Sequence, residues 1–132
     1  MFTDPAPQSW EMDEACILLS DIVSFHDYNA MPRTLQTLEI LEGYGRPLLC
    51  SEWLHRPREN TFYSHLPLYK EKRVAIFNWG MVAGKTQTYL DWNRAINPLE
   101  GMPELWQHDI LNTDLTPYRP EEVAFISRTI GK

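Results

Sequence analysis

Three short apolar runs, evenly spaced along the chain, constrain the fold more than any other feature of the sequence. They begin at Asp21, Pro47 and Arg73, so each start lies 26 residues after the one before it. That interval accommodates one β-strand, one α-helix that returns along the strand, and the turns that join them. The spacing therefore predicts parallel β-strands connected by α-helices, with the three strands ending at the same edge of one sheet.

Polar and aromatic side chains end each apolar run. Phe-His-Asp-Tyr occupies positions 25–28, Ser-Glu-Trp occupies 51–53, and Phe-Asn-Trp-Gly occupies 77–80. Because the carboxyl ends of parallel strands meet at one edge of a sheet, we expect these three clusters to lie close together. A (β/α) barrel assembles its active site in this way, from residues at the carboxyl ends of several strands.

Glu52 is the strongest candidate for a chemical role, because its carboxylate follows an apolar strand and the Trp53 ring comes next. Successive strand residues face opposite sides of a sheet, so His26 and Tyr28 share a face that Asp27 does not. A carboxylate nucleophile needs donors that orient it while it stays ionised. We therefore predict that His26 and Tyr28 support Glu52. A tryptophan ring nearby offers a flat apolar platform that suits the C–H face of a sugar.

The length of 132 residues allows one core, and the hydrophobic fraction of 43% is ordinary for a globular domain. A complete eight-unit barrel needs about 250 residues, so we expect one incomplete domain over residues 1–132. The net charge of −6, and the lack of a basic run interleaved with aromatics, argue against a nucleic-acid partner. No apolar stretch approaches the ~20 residues of a membrane span. The first residues lack a signal-peptide pattern, and the sequence leaves the localisation open.

Helical spacing of apolar residues and helix-end signals predict five helices between and around the strands. They span 10–19, a segment that starts at Pro32, 62–72, 104–111, and a segment that starts at Pro120. The same spacing predicts their buried faces. These comprise Met12, Ala15, Cys16 and Leu19 in the first helix, Leu35, Leu38 and Leu41 in the second, and Val123, Ile126 and Ile130 in the last. Both cysteines, Cys16 and Cys50, have apolar neighbours, which predicts buried free thiols.

Other chemistries fit the sequence poorly. Gly-Met-Val-Ala-Gly-Lys-Thr at 80–86 has three residues between its glycines, where a phosphate-binding P-loop has four. No group of histidines and acidic residues has the spacing of a known ligand motif, so no metal is expected. Neither Ser24 nor Ser51 lies in a Gly-x-Ser-x-Gly motif, which argues against a serine hydrolase. A carbohydrate-binding β-sandwich fits poorly because alternating strands with frequent turns are absent.

Five segments together resemble a known enzyme family. They are Ser-Asp-Ile-Val-Ser-Phe-His-Asp-Tyr (20–28), Tyr-Gly-Arg-Pro-Leu-Leu-Cys-Ser-Glu-Trp (44–53), Phe-Asn-Trp-Gly-Met-Val-Ala-Gly-Lys-Thr-Gln-Thr (77–88), Trp-Gln-His-Asp-Ile (106–110) and Thr-Pro-Tyr-Arg-Pro-Glu-Glu-Val (116–123). The first three resemble the last three strands of a retaining (β/α)8-barrel glycoside hydrolase of the cellulase-like superfamily. The last two resemble its closing segment. The resemblance implies an α/β fold, a partial TIM (β/α)8 barrel of about strands 6–8 with flanking helices.

The resemblance also assigns roles to residues. It implies hydrolysis of O-glycosidic bonds in β-linked poly- or oligosaccharides by a retaining mechanism, with Glu52 as the nucleophile at the end of strand seven. No cofactor is expected for this chemistry. The residues implied to support the nucleophile or contact the carbohydrate substrate are His26, Tyr28, Trp53, Asn78, Trp79 and Lys85. Among them Trp79, at the end of strand eight, is the implied stacking platform.

The sequence departs from this family at the second catalytic carboxylate. In this superfamily the acid/base glutamate follows an asparagine at the end of strand four. No Asn-Glu pair occurs in the sequence, so we expect the acid/base to lie outside it. General acid catalysis is typically worth ~10²–10⁴ in rate, so the chain alone is expected to be inactive. The alternative is a non-catalytic half-barrel that binds glycans, self-associates or pairs with a complementary half-barrel.

Overall fold

The computed structural model describes residues 7–92 and 102–131, with side chains from residue 11 onward. Its elements are, in chain order, α1 (Pro7–Leu19), β1 (Val23–Asp27), α2 (Met31–Glu42), β2 (Leu48–Trp53), α3 (Phe62–Glu71), β3 (Ala75–Ile76) and α4 (Pro120–Ile130). A 3₁₀ turn at Arg56–Arg58 follows β2. Strands and helices alternate from β1 to β3, as the 26-residue interval predicts. The described chain is therefore a mixed α/β fold.

The three strands form one parallel sheet in the order β1-β2-β3. Along the first pair of strands Phe25 pairs with Cys50, but the next residue, His26, pairs with Glu52. β2 therefore contains one extra residue, Ser51, which forms a β-bulge. A one-residue bulge reverses the alternation of side chains beyond it. This reversal decides which β2 side chains reach the candidate site.

One face of the sheet is buried against helices. The strand residues Val23, Phe25, Leu48 and Cys50 share a core with side chains of α2 and α3. From these two helices the core includes Leu38, Leu41, Phe62, Leu66 and Tyr69. The intervening strand positions Ser24, His26 and Ser51 lie on the other face, which we call the open face, and remain at least partly exposed.

α2 and α3 lie where the sequence predicts helices. Pro32 falls in the first turn of α2, where a missing backbone N–H costs nothing. Leu35, predicted to face the core, is 44% exposed instead. α3 begins with a capping box in which Thr61 and Ser64 satisfy each other's backbone N–H groups. These local signals explain why both helices could be located from the sequence.

The third strand is shorter than the predicted run of 73–80, because β3 comprises only Ala75–Ile76. Its last backbone bond to β2 runs from the Phe77 N–H to the Cys50 carbonyl at 2.9 Å. The chain then turns at Gly80, which has φ +87°. A Cβ atom there would lie 2.6 Å from the Asp109 Oδ1 atom, so the close approach requires glycine. The strand therefore ends at Ile76, and the predicted strand residues 77–80 form the turn instead.

The prediction of a helix at 104–111 is wrong, because the structure describes this segment as irregular. The Gln107 N–H donates to the Tyr89 carbonyl at 2.9 Å, and the Leu111 N–H donates to the Met81 carbonyl at 2.9 Å. Backbone groups that bond to another loop are not available for the i to i−4 bonds of a helix. The apolar spacing here reflects burial between loops rather than a helical face.

The predicted buried face of α1 is also wrong. Among the side chains of this helix that the structure describes, Ile17 lies in the core, and the residues predicted to be buried, Met12, Ala15, Cys16 and Leu19, are all exposed. The run Ala-Cys-Ile-Leu-Leu at 15–19 is apolar on every side, so periodicity alone could not select the face. Cys16 is therefore an exposed free thiol, whereas Cys50 is buried as predicted.

α4 buries a charge that the sequence pattern did not predict. Val123 and Ile126 are partly buried, in line with the predicted face, but Ile130 is 59% exposed. Glu122 is buried instead, because the Arg56 guanidinium holds its carboxylate through two hydrogen bonds of 2.6 and 3.0 Å. This ion pair joins α4 to the segment that follows β2.

Candidate active site

Glu52 lies near the carboxyl end of β2, the central strand, and reaches the open face of the sheet. The bulge at Ser51 places it there, since regular alternation would turn Glu52 toward the core and Trp53 toward the open face. Ser51 Oγ lies 2.9 Å from Ser24 Oγ and donates to the Phe25 carbonyl at 3.3 Å. These contacts tie the bulged residue to β1.

Two side chains approach the Glu52 carboxylate. Tyr28 Oη donates a hydrogen bond to Oε2 at 2.8 Å, and His26 Nδ1 lies 3.0 Å from the same oxygen. The His26 contact lacks hydrogen-bonding geometry, since Nδ1 has no hydrogen-bond partner, so Tyr28 is the directional donor. The Glu52 side chain is 23% exposed. The carboxylate is thus oriented by a neighbour and still open to solvent.

Tyr28 remains a donor over a wide pH range. Burial and, to a lesser extent, the hydrogen bond to Glu52 raise the pKa of the Tyr28 hydroxyl above its ordinary value. A phenol that resists ionisation keeps its proton for the neighbouring carboxylate. This pair therefore has the arrangement needed to hold an ionised carboxylate in a fixed orientation.

Asp27 faces the core side of the sheet, as strand alternation predicts. It is 1% exposed and accepts hydrogen bonds from Tyr69 Oη at 3.2 Å and from the Asn29 side chain at 2.8 Å. Asn60 Nδ2 donates to the Asp27 carbonyl at 3.2 Å. Asp27 thus fixes the end of β1 and does not join Glu52 as a second carboxylate.

Trp53 does not reach the site, contrary to the sequence expectation. Its side chain is 1% exposed and packs edge-on against Phe62 and Tyr69, with ring centroids 5.0 and 5.4 Å away. The bulge at Ser51 is the physical cause, because it turns Glu52 outward and the following residue inward. Trp53 is therefore a core residue in this structure and offers no surface to a sugar.

The three site residues predicted beyond β3 lie in and after the turn at Gly80. Trp79 and Lys85 are exposed and Asn78 is partly buried, with its side-chain amide donating to the Gly80 carbonyl. In the described part of the chain none of these three side chains forms a hydrogen bond or ion pair with Glu52. The structure thus brings His26 and Tyr28 to Glu52. Asn78, Trp79 and Lys85 lie in or after the turn at Gly80 and make no such contact.

An aromatic cluster next to Glu52 was missed by the sequence analysis. The Tyr28 ring contacts His55, Trp92 and His108, with ring centroids 6.3, 4.9 and 5.4 Å away. His55 and Trp92 are 4.7 Å apart. In the sequence, His55 and Trp92 lie in segments that we interpreted as loops, and His108 lies in the segment 104–111 that we predicted to be a helix. We call these four residues the aromatic cluster.

A chain of buried hydrogen bonds supports the aromatic cluster from behind. The Trp92 backbone N–H donates to Gln107 Oε1 at 3.0 Å, and Gln107 Nε2 lies 2.5 Å from His108 Nε2. His108 Nδ1 bonds the Leu54 carbonyl. Burial lowers the pKa of His108 to about 4, so its ring is neutral at pH 7. These contacts assign the proton to Nδ1, with Nε2 accepting from Gln107. We call Gln107 and His108 the relay.

The relay ends at a strained residue directly after β2. Leu54 has φ 78°, a conformation that costs a branched residue about 1–2 kcal/mol. Asn60 Oδ1 accepts the Leu54 N–H at 3.1 Å, and His108 bonds its carbonyl. Strained residues persist where the surrounding contacts over-determine them, and they cluster at functional sites. This one turns the chain so that His55 enters the aromatic cluster.

His55 is buried without a hydrogen-bond partner on either ring nitrogen. Burial, and then the charge of Arg58, lower the pKa of His55 below its ordinary value. A neutral imidazole among aromatic rings acts here as a packing surface for Tyr28 and Trp92. No group of three or more histidine, cysteine or acidic residues that could hold a metal ion occurs in residues 7–92 and 102–131.

Comparison with known proteins gave no match to a family model, to a curated protein or to a solved structure. The resemblance carried by the five sequence segments therefore stays a hypothesis about function. None of the helices that the structure describes is both long and apolar enough to cross a membrane. The geometry around Glu52 is the observation on which a functional proposal can be built.

Proposed function

We propose that this chain is part of a retaining glycoside hydrolase barrel and carries its nucleophile, Glu52. The observation that carries the proposal is the Tyr28 hydroxyl 2.8 Å from a partly exposed carboxylate at the carboxyl edge of a parallel sheet. Active sites of (β/α) barrels lie at that edge. Two features support the proposal that the sheet belongs to a larger barrel: the parallel β/α arrangement and the open face. In that barrel this chain would supply about strands 6–8.

The proposed chemistry uses Glu52 as the attacking group. A carboxylate oxygen forms a bond to the anomeric carbon while the bond from that carbon to the leaving-group oxygen breaks. Water then hydrolyses the glycosyl ester, releases the sugar and regenerates the carboxylate. Tyr28 holds one oxygen of Glu52, which leaves the other to attack, and His26 lies beside the same oxygen as Tyr28. Trp79, Asn78 and Lys85 are proposed carbohydrate contacts from the adjacent loop, and the substrate class is a β-linked poly- or oligosaccharide.

The acid/base carboxylate is proposed to come from outside this chain. Retaining hydrolysis needs two carboxyl groups about 5–5.5 Å apart. In the described chain no second carboxylate contacts Glu52. The carboxylate of the adjacent strand β1, Asp27, faces the core. A complementary half-barrel that covers the open face is the proposed source. Without it, substrates with poor leaving groups are expected to react very slowly.

An activated substrate tests the nucleophile without the missing acid. Aryl β-glycosides with a dinitrophenol leaving group need almost no proton donation, so purified chain is expected to release the phenol or to form a trapped glycosyl ester. Glu52→Gln should abolish both, because the amide is a poor nucleophile of the same shape. Tyr28→Phe should retain labelling at a rate reduced about tenfold, since one charge-assisted hydrogen bond is lost. Glu42→Gln, an exposed carboxylate on α2, is the matched control and should leave the rate unchanged.

The second candidate function is a non-catalytic half-barrel that binds glycans. It is favoured by the lack of a second carboxylate at Glu52 within residues 7–92 and 102–131. In that case folded protein binds β-linked oligosaccharides, and neither turnover nor labelling occurs with any activated glycoside. Such a result would contradict the catalytic proposal for this chain while keeping the carbohydrate site.

A further inference from the structure

We propose that Trp92 and Arg58 form a saccharide subsite next to the one at Glu52. The proposal rests on the proposed function and names the residues that hold the next sugar of the chain. Neither residue belongs to the polar groups that end the three strands. Trp92 belongs to the aromatic cluster, and Arg58 lies over the Trp92 ring.

Trp92 packs against the tyrosine that donates a hydrogen bond to the proposed nucleophile. Its ring centroid is 4.9 Å from that of Tyr28, whose hydroxyl donates to Glu52. Only one aromatic ring therefore separates Trp92 from the reacting carboxylate. Trp92 keeps 51% of its surface exposed although its neighbour His55 is almost completely buried. A large apolar ring that is exposed next to a reactive group is a surface suited to ligand contact.

The relay shows that Trp92 is held in a defined position. Its backbone N–H donates to Gln107, and Gln107 bonds His108, which bonds the carbonyl of Leu54. Gln107 and His108 are both buried, so the two bonds that His108 makes are shielded from water. The relay thus connects Trp92 to the residue that follows Glu52 by two positions.

Arg58 supplies the polar half of the subsite. Its guanidinium carbon lies 5.4 Å from the Trp92 ring centroid, within the range of a cation–π contact. The side chain is exposed, so its N–H groups can also reach a ligand. An arginine carries five donors in a fixed plane, which suits the hydroxyl groups of a pyranose, while the indole suits its C–H surface. The two together match the chemistry of a sugar ring.

Equilibrium binding separates this proposal from the catalytic one. Calorimetry is run on the full chain with β-1,4-linked glucotetraose, mannotetraose, xylotetraose and galactotetraose. Glu52→Gln should bind the preferred tetrasaccharide within about threefold of the unchanged protein, because its shape is preserved. Trp92→Ala should weaken binding at least tenfold, and Trp92→Phe, which keeps a ring, should recover most of it. Arg58→Gln changes an exposed side chain and should weaken binding about threefold to tenfold without affecting folding.

Tyr63→Ala is the matched control, because Tyr63 is an exposed aromatic that packs against Phe125 of α4 instead. It should bind as the unchanged protein does. If Trp92→Ala and Arg58→Gln, both shown to be folded by circular dichroism, bind the tetrasaccharide normally, the subsite is refuted while the Glu52 proposal stands. If the unchanged chain binds none of the four tetrasaccharides, the subsite is refuted, and labelling with the aryl glycoside decides the Glu52 proposal separately. If an aryl glycoside labels Glu52 but Trp92→Ala binds the tetrasaccharide as the unchanged protein does, only the subsite is overturned.

Discussion

The buried ion pair between Arg56 and Glu122 gives the sharpest stability prediction. The guanidinium donates to both carboxylate oxygens, at 2.6 and 3.0 Å, and both side chains are only 2% exposed. Glu122→Gln keeps the shape but removes the charge that neutralises Arg56. Removing one partner of a buried pair typically costs 3–5 kcal/mol, because the other charge stays buried. We expect a loss of about 3 kcal/mol, since Arg56 also donates to the Trp106 carbonyl at 3.1 Å and keeps that bond.

Urea unfolding followed by circular dichroism measures this loss, with the slope of the transition checked for two-state behaviour. The matched control is Glu42→Gln, which breaks an ion pair to Lys72 with a 3.0 Å separation and about one-third exposure. That pair should be worth less than about 1 kcal/mol and should weaken further in high salt. If Glu122→Gln costs no more than Glu42→Gln, then burial does not control the strength of these pairs and the reasoning is refuted.

Removing both charges gives a second test of the same pair. Replacement of Arg56 and Glu122 by methionine leaves no buried charge, so the double variant should be more stable than Glu122→Gln alone. A double variant that is less stable than the single one would show that the Arg56 bonds to the 106–107 carbonyls matter more than the ion pair. The coupling energy follows from the complete double-mutant cycle.

Three further predictions follow from the described geometry. Arg73 lies just after α3 with φ 55°, so Arg73→Gly should stabilise the fold by about 1 kcal/mol. Glu71→Gly, at the last residue of the helix, should instead destabilise the fold by up to about 1 kcal/mol, and urea titration measures both changes. Maleimide should label Cys16 in the native protein and Cys50 only after unfolding, because burial raises the pKa of Cys50 to about 12; labelling of native Cys50 would contradict its burial. The folded-state pKa of His108, about 4, lies below its unfolded value, so the unfolded state binds more protons between pH 6.5 and 4. Stability should therefore fall as the pH drops through this range, by about 2–3 kcal/mol at pH 4.5, and His108→Gln should reduce this dependence; an unchanged pH profile would exclude a His108 contribution.

The β/α order was predictable because it depends on short-range signals. The 26-residue interval leaves room for only one helix between parallel strands, and the capping box at Thr61 and the proline at 32 mark helix starts locally. The terminal helices were harder because tertiary partners select their faces. Nothing near Glu122 in the sequence reveals that Arg56, on a loop far away in the chain, pairs with it.

Part of the candidate site could be predicted and part could not. Strand alternation on β1 correctly separates His26 from Asp27, and it placed Tyr28 on the side of Glu52. The prediction for Trp53 is wrong because a single extra residue at position 51 reverses the pattern of β2. No composition rule detects one bulge, since its cause is a set of contacts with the neighbouring strand.

The aromatic cluster depends on contacts that are still longer in range. Trp92 and His108 come from loops after the last strand, 64 and 80 residues further along the chain than the Tyr28 ring that they contact. Their positions are set by Gly80, which lets the chain pass close to Asp109, and by the relay through Gln107. In the sequence, the residues that make such contacts are isolated aromatic and polar residues without regular spacing, so their pattern does not predict the cluster.

The bulge at Ser51 links the fold to the proposed function. It directs Glu52 onto the face of the sheet that the core does not use, where Tyr28 and His26 meet it. In the described chain no second carboxylate contacts Glu52 on that face. The retaining mechanism that we propose needs one within about 5.5 Å, so we propose that the partner which supplies it approaches across the open face. The position of Glu52 therefore supports both the proposed chemistry and the proposed direction from which the acid/base carboxylate approaches.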